Sequence, residues 1–171
     1  MNTVELIQYS LTSAFDILGQ VTADLTQEQA DWTPPGIANS IGALYWHTVS
    51  SVDEIVHGWC IGQTPLSQGA GWREKVLYPS APGAGEETLE QMRAIRVDLA
   101  ALHEYAQAVA KAAQDWLATL APEDLEHKMD TPIGGLNLAQ LLATFVIWHI
   151  DAHCGEISAL KGCLGARGYP F

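Results

Sequence analysis

Val4, Ile7, Leu11, Ala14, Leu18 and Val21 follow one another in alternating steps of three and four. Residues at that spacing share one side of an α-helix, and a stripe of them must be buried against other helices. Phe15 and Ile17 widen the stripe, so residues 3–22 read as the first helix of a bundle. Thr26-Gln27-Glu28-Gln29 reads as a single capped turn, with Thr26 as N-cap and Gln29 reaching back. Trp32-Thr33-Pro34-Pro35-Gly36 then breaks the chain.

Ser40 can cap a second helix over residues 41–61. At about 100° per residue, Ile41, Tyr45, Val49, Val52, Val56 and Trp59 lie on one side. His47 points nearly the opposite way, with Ala43, Leu44, Ser51, Glu54 and Gly58. A helix that is apolar on two sides is covered on two sides. One cover is the bundle interior; the other is expected to be a second subunit, which makes a homodimer the expected assembly.

Residues 63–85, with Gly69, Gly71, Pro79, Pro82, Gly83 and Gly85, read as a long irregular connection, with Trp72 and Tyr78 as candidate anchors. The third helix is expected over residues 86–119. Glu86, Glu87 and Glu90 suit its start, and Leu89, Met92, Ile95, Leu99, Leu102, Ala106, Val109, Ala113, Trp116 and Leu120 form its stripe. A short turn begins at Ala121-Pro122-Glu123-Asp124. Thr131-Pro132-Ile133-Gly134-Gly135 reads as a small hairpin-like loop, although no segment has a strong strand pattern. Asn137 can cap a fourth helix, residues 138–162, which Gly162 and Gly165 end. The aromatic tail through Tyr169 and Phe171 is expected to fold back. The fold expected is all-α: one four-helix-bundle domain over residues 1–171, with a long crossover connection.

Nearly half the residues (48%) are apolar and 16% are charged, a balance that suits a packed core rather than disorder. No apolar run approaches the roughly 20 residues of a membrane span. Met1-Asn2-Thr3-Val4-Glu5 lacks the basic start of a signal peptide, so the expected setting is soluble and cytoplasmic, with no membrane partner. The net charge of −12, with only eight Lys and Arg, argues against a nucleic-acid partner. Cys60, Cys154 and Cys163 are odd in number and form no CxxC pair, so they are expected to be reduced thiols.

The chemistry concentrates in histidines. His149 and His153 stand four apart on the fourth helix, so their rings leave the same face one turn apart and can reach one metal ion. Leu138, Leu142, Phe145, Glu156 and Leu160 share that face, which makes it the expected core stripe. His47 lies on the inward side of the second helix. Three neutral imidazoles with one position open is the arrangement of a catalytic metal site. The competing reading is a set of core histidines satisfied by hydrogen bonds, with Glu54 or Glu156 as partner. Glu54-Ile55-Val56-His57 has the Glu-x-x-His spacing of di-iron bundles, but the fourth helix carries no second copy. A His-x-x-x-His pair on one helix is poorly placed for the two axial positions of a haem. His57 is expected near the helix edge. His103 and His127 are expected to be exposed and without a role.

Ser40-Ile41-Gly42-Ala43-Leu44-Tyr45-Trp46-His47, with Trp32-Thr33-Pro34 before it, resembles the second-helix segment of the DinB-like superfamily. His149-Ile150-Asp151-Ala152-His153-Cys154-Gly155-Glu156-Ile157, with Lys161-Gly162 after it, resembles that family's last-helix motif. The resemblance implies a four-helix bundle, commonly dimeric, with His47, His149 and His153 on one divalent metal. Zinc, nickel and iron all suit three imidazoles. Related members are thiol-dependent transferases and isomerases that use mycothiol, bacillithiol or glutathione. The expected activity is therefore metal-dependent transfer of a low-molecular-weight thiol to an electrophilic small molecule, the metal lowering the thiol's pKa. The alternatives are a metal-dependent hydrolase and a non-enzymatic metal-binding stress-response module. Glu54, about two turns from His47, and Glu156, about one turn from His153, are candidates for a base or for a partner that supports a ligand.

Overall fold

The computed structural model describes residues 1–78, 89–132 and 134–169. Helix α1, Thr3–Thr22, starts in a capping box in which Asn2 and Glu5 satisfy each other's backbone N–H. Thr26 and Gln29 do the same for the short α2, Gln27–Asp31. Ser40 accepts from the Ala43 N–H and starts α3, Ile41–Asp53. The chain stays helical from Glu54 to Ile61, but in a π-helical turn, and Gly62 ends it at φ +72°. The second helix thus spans the expected residues with a wider last part.

The connection after Gly62 is less irregular than its glycines suggest. It holds α4, Leu66–Gly69, and α5, Trp72–Val76. Trp72 anchors it, its ring centroid 5.8 Å from that of Tyr105. Tyr78 does not, since it is 41% exposed.

The third helix is not continuous. Helix α6, Leu89–Ala94, and α7, Leu99–Leu117, are separated by an extended step. Ile95 and Val97 are buried there, and Val97 bridges antiparallel to Leu77. Gln27 reaches across from α2, donating to the Val97 carbonyl at 2.8 Å and accepting from the Leu99 N–H at 3.0 Å. Asp98 caps α7 through the Ala101 N–H. These side-chain bonds offer the backbone an alternative to helix at the point where the apolar period continues unbroken. Glu86 and Glu87, expected at the start of this helix, lie outside the described residues.

After a 3-10 turn at Pro122–Glu126, strands β1, Lys128–Thr131, and β2, Gly134–Asn137, pair antiparallel, so the hairpin-like break is a true hairpin. Strands of four residues are too short to show alternation. Asn137 and Gln140 form the box that starts α8, Leu138–Leu141. A second π-helical turn, Leu142–Ile147, leads into α9, Trp148–Cys163. The expected fourth helix is thus one rod with a π-turn inside it. The tail returns along α9 as expected for Tyr169: a Cβ added at Gly168 would lie 2.8 Å from the Ser158 carbonyl oxygen. Phe171 lies outside the described residues.

Helices α1 and α3 each pack against both α7 and α9, which places α1 and α3 at opposite corners of a four-helix bundle. Leu11, Leu18, Ile41, Val49, Leu102, Val109, Leu141 and Ile150 are in its core. Lys161 is also buried. Its ammonium donates to the Val21 carbonyl at 2.7 Å and contacts Asp24, so it ties α9 to the end of α1. Among the described residues, no helix is long and apolar enough to cross a membrane.

Candidate metal centre

Helices α3 and α9 are neighbours, and they bring His47, His149 and His153 together. The His47 ring centroid is 5.2 Å from each of the other two, and His149 and His153 are 4.5 Å apart. One nitrogen from each ring lies within 4.8 Å of the others, a group that could hold a metal ion. Of the six histidines, these are the three expected together: His149 and His153 from their spacing, His47 from its inward side of the second helix and the motif it ends.

Their depth differs from expectation. The buried stripe of the last helix runs through Leu142, Val146, Ile150, Cys154 and Ile157. His149 and His153 sit beside it, half-buried, and Glu156 is exposed. Counting at 100° per residue from Leu142 puts His149 on the core face. The π-turn has i→i+5 bonds and advances less per residue, so Ile150 takes that place and the histidines rotate to the flank. There they can meet both the core and an opening.

Burial pushes the His149 pKa down to about 4, and His153 and His47 push the same way. Burial also lowers His47, with His153 adding and Glu156 opposing. Both rings are therefore neutral near pH 7 and have a lone pair to give. His149 Nε2 is buried with no hydrogen-bond partner among the described residues. Such an atom is costly unless something else meets it. His153 Nδ1 lies 2.6 Å from Glu156 Oε2, a bond that fixes the ring and leaves Nε2 as the free acceptor. The hydrogen-bonded-core reading thus accounts for His153 but not for His149.

His47 and His149 open onto a cavity of about 390 Å³. Trp46, Ile55, Trp59, Met92 and Phe145 form its apolar lining. Ser50, Ser51, Glu54, Ser67, Gln68 and Arg73 form the polar part. Glu54 is therefore in the wall of the same cavity, while Glu156 is on His153.

Two histidines differ from their expected settings. His57 is 5% exposed, not at a helix edge, and its Nδ1 lies 2.8 Å from Asp53 Oδ1 without in-line hydrogen-bond geometry. His103 is half-buried, with Nδ1 3.2 Å from the Tyr45 hydroxyl, and burial lowers its pKa. His127 is exposed as expected.

Sequence reasoning missed Asp53. It is fully buried, and its carboxylate accepts from the Leu66 N–H at 2.9 Å, the Ser67 N–H at 2.8 Å and the Tyr105 hydroxyl at 2.6 Å. It caps α4 from a bundle helix and so fixes the cavity wall that carries Ser67 and Gln68. The available signal was a carboxylate directly after Val52 in the main apolar stripe. All three cysteines are free thiols. Burial pushes both Cys60 and Cys154 up to about 12, so neither is a thiolate at neutral pH.

Fold and site together define a four-helix bundle with a three-histidine group on two neighbouring helices, open to a cavity. The chain belongs to the DinB superfamily, whose sequence profile matches residues 10–157. It is similar in fold to the crystal structure of a conserved protein from Enterococcus faecalis, with a TM-score of 0.79 over 96% of this chain and 99% of that one. Identity between the two is 20%, so the likeness concerns the fold alone. No curated protein sequence matches the chain.

Proposed function

We propose that this protein is a metal-dependent enzyme that transfers a low-molecular-weight thiol to an electrophilic small molecule. The observation that carries the reading is the orphaned, buried His149 Nε2 inside a cluster of three histidines at a cavity. The residues fit a divalent transition metal: His47, His149 and His153 would hold it, whether zinc, nickel or iron. When bound, it would lower the pKa of a thiol and supply a nucleophile near neutral pH. Glu156 holds the proton of His153 Nδ1 and so aims the other nitrogen at the site. Trp46, Trp59 and Phe145 give the cavity an apolar wall against which the carbon skeleton of a substrate can pack. The protein's own Cys60 and Cys154 remain protonated and do not compete.

Hydrolysis is the weaker reading. It needs a carboxylate base beside a bound water, yet Glu156 is engaged with His153 and Glu54 lies roughly 10 Å along α3 from His47. We further propose a cytoplasmic homodimer acting in chemical stress. Ile37 and Trp148, 77% and 65% exposed, are apolar surface that a second copy would cover. A monomer mass in light scattering would refute the dimer.

The test of function is the metal content of untagged protein prepared without added metal, beside His149→Ala. About one equivalent in the wild type and none in the variant is the expected result. Thiol-dependent loss of an epoxide or a chlorinated aromatic, absent in the variant, then separates transfer from mere binding. No metal in either protein would sink the reading.

A further inference from the structure

The cavity is zoned along α3. His47, Ser50, Ser51 and Glu54 stand at i, i+3, i+4 and i+7, so they form one polar strip that starts at the histidine group. Seven residues of helix carry that strip about 10 Å from His47. It ends where the π-turn begins, and there the register changes. Residues four and five apart flank one face in a π-turn, so Gly58 and Trp59 both follow Glu54 along it. Both line the cavity. The Glu54 side chain lies along its own helix over Gly58, where an added Cβ would fall 2.9 Å from Glu54 Oε1. The missing side chain at Gly58 leaves a notch that the carboxylate occupies.

The Glu54 carboxylate makes no hydrogen bond or ion pair with any described residue. Arg73, in the same lining, has an interaction of its own. A carboxylate and an indole lining one cavity are the two kinds of group that recognise an ammonium ion: the first supplies charge, the second a π-system for a cation contact. The net charge of −12 favours cations approaching from solution.

We infer that the Glu54 end of this cavity, with Trp59 beside it in the lining, is a subsite for a protonated amine, so that the thiol taken up is an aminothiol whose amine stands at the end of its chain remote from the sulfur. The inference rests on the thiol-transfer reading, and it gives Glu54 a part in recognising the distal end of the substrate. A merely solvated surface glutamate would show no such selectivity.

The test uses three thiols of equal chain length: 6-aminohexanethiol, 6-mercaptohexanol and 6-mercaptohexanoate. Each is titrated into cobalt-loaded protein, and binding is read from the thiolate-to-cobalt absorption band. The amine is expected to bind about fivefold tighter than the alcohol, the scale of one partly exposed charge pair, with the carboxylate weakest. Glu54→Gln should bring amine and alcohol together while leaving the alcohol's affinity and the cobalt content in place. Equal binding of amine and alcohol by the wild type overturns the subsite and leaves the thiol reading standing. A preference that survives in Glu54→Gln also overturns it, since overall charge would then be the cause. If none of the three changes the cobalt spectrum, the thiol reading fails, and hexylammonium titrated against tryptophan fluorescence decides the subsite. Binding that is lost in Glu54→Gln upholds it, and absence of binding overturns it.

Discussion

At His149 the fold holds an imidazole that burial and two neighbouring rings keep neutral down to about pH 4. In the unfolded chain the same group takes a proton near pH 6.5. The folded pKa is the lower one, so the unfolded state binds the extra proton first. The stability tied to this ring is complete above pH 6.5 and is lost as pH falls toward 4. Metal-free protein should therefore melt several degrees lower at pH 4.5 than at pH 7, and His149→Gln should flatten that slope in a thermal melt. An equally steep slope in the variant would mean that other groups govern the acid limb. Glu156 acts through a neighbour: its 2.6 Å bond to His153 sets which nitrogen is free. Glu156→Gln keeps the shape but weakens the acceptor, and metal affinity should drop about tenfold in a competition titration. His153→Ala should cost far more.

The helices themselves were legible because each buries a continuous stripe, and the caps at Thr26, Ser40 and Asn137 stand where Ser, Thr and Asn precede those stripes. His149 and His153 were legible for a similar reason, since a pair at i, i+4 cannot avoid sharing a face, whereas His47 was legible only from its side of the second helix and the motif it ends. The π-turns were not, because a wider turn leaves the apolar residues in place and only rotates the helix beyond it. That is why His149 was expected in the core and lies beside it. The break before α7 was hidden because its cause, Gln27, is about seventy residues away in the chain. Gly42, part of the second-helix motif, shows what a motif can encode without chemistry. A Cβ there would lie 2.9 Å from Val97 Cγ2 and 3.0 Å from the Ala30 carbonyl oxygen, so the glycine lets α3 close on α2 and on the extended step. Gly42→Ala should destabilise by about 1–3 kcal/mol in urea unfolding. Gly19, also helical but facing open space, is the control: Gly19→Ala should stabilise by up to about 1 kcal/mol. A neutral Gly42→Ala would mean the α2–α3 contact gives way easily. Asp53→Ala strips the acceptor from two amides and the Tyr105 hydroxyl at once, and should cost about 3 kcal/mol or more.

Across the whole molecule, the three histidines come from two elements far apart in the chain, α3 in the first third and α9 at the end. An ion held by all three would cross-link two corners of the bundle that otherwise meet through side-chain packing. It would bind the folded chain and find no preformed site in the unfolded one. Stability should then rise by RT ln(1 + [M]/Kd), about 2.7 kcal/mol at a hundred times Kd. For a chain of this length that corresponds to a Tm higher by roughly 5–10 °C. The increment should depend on the logarithm of free metal and vanish in His47→Ala, which removes the only one of the three ligands on α3. That variant should still fold without metal, because the core runs through Val49, Leu102, Val109 and Ile150 rather than through the site. A metal-induced shift of the same size in His47→Ala would place the ion elsewhere, most simply on the acidic surface that gives the chain its charge of −12. A shift in the wild type alone would tie α3 to α9 through the histidines, and with them the cavity that both helices line.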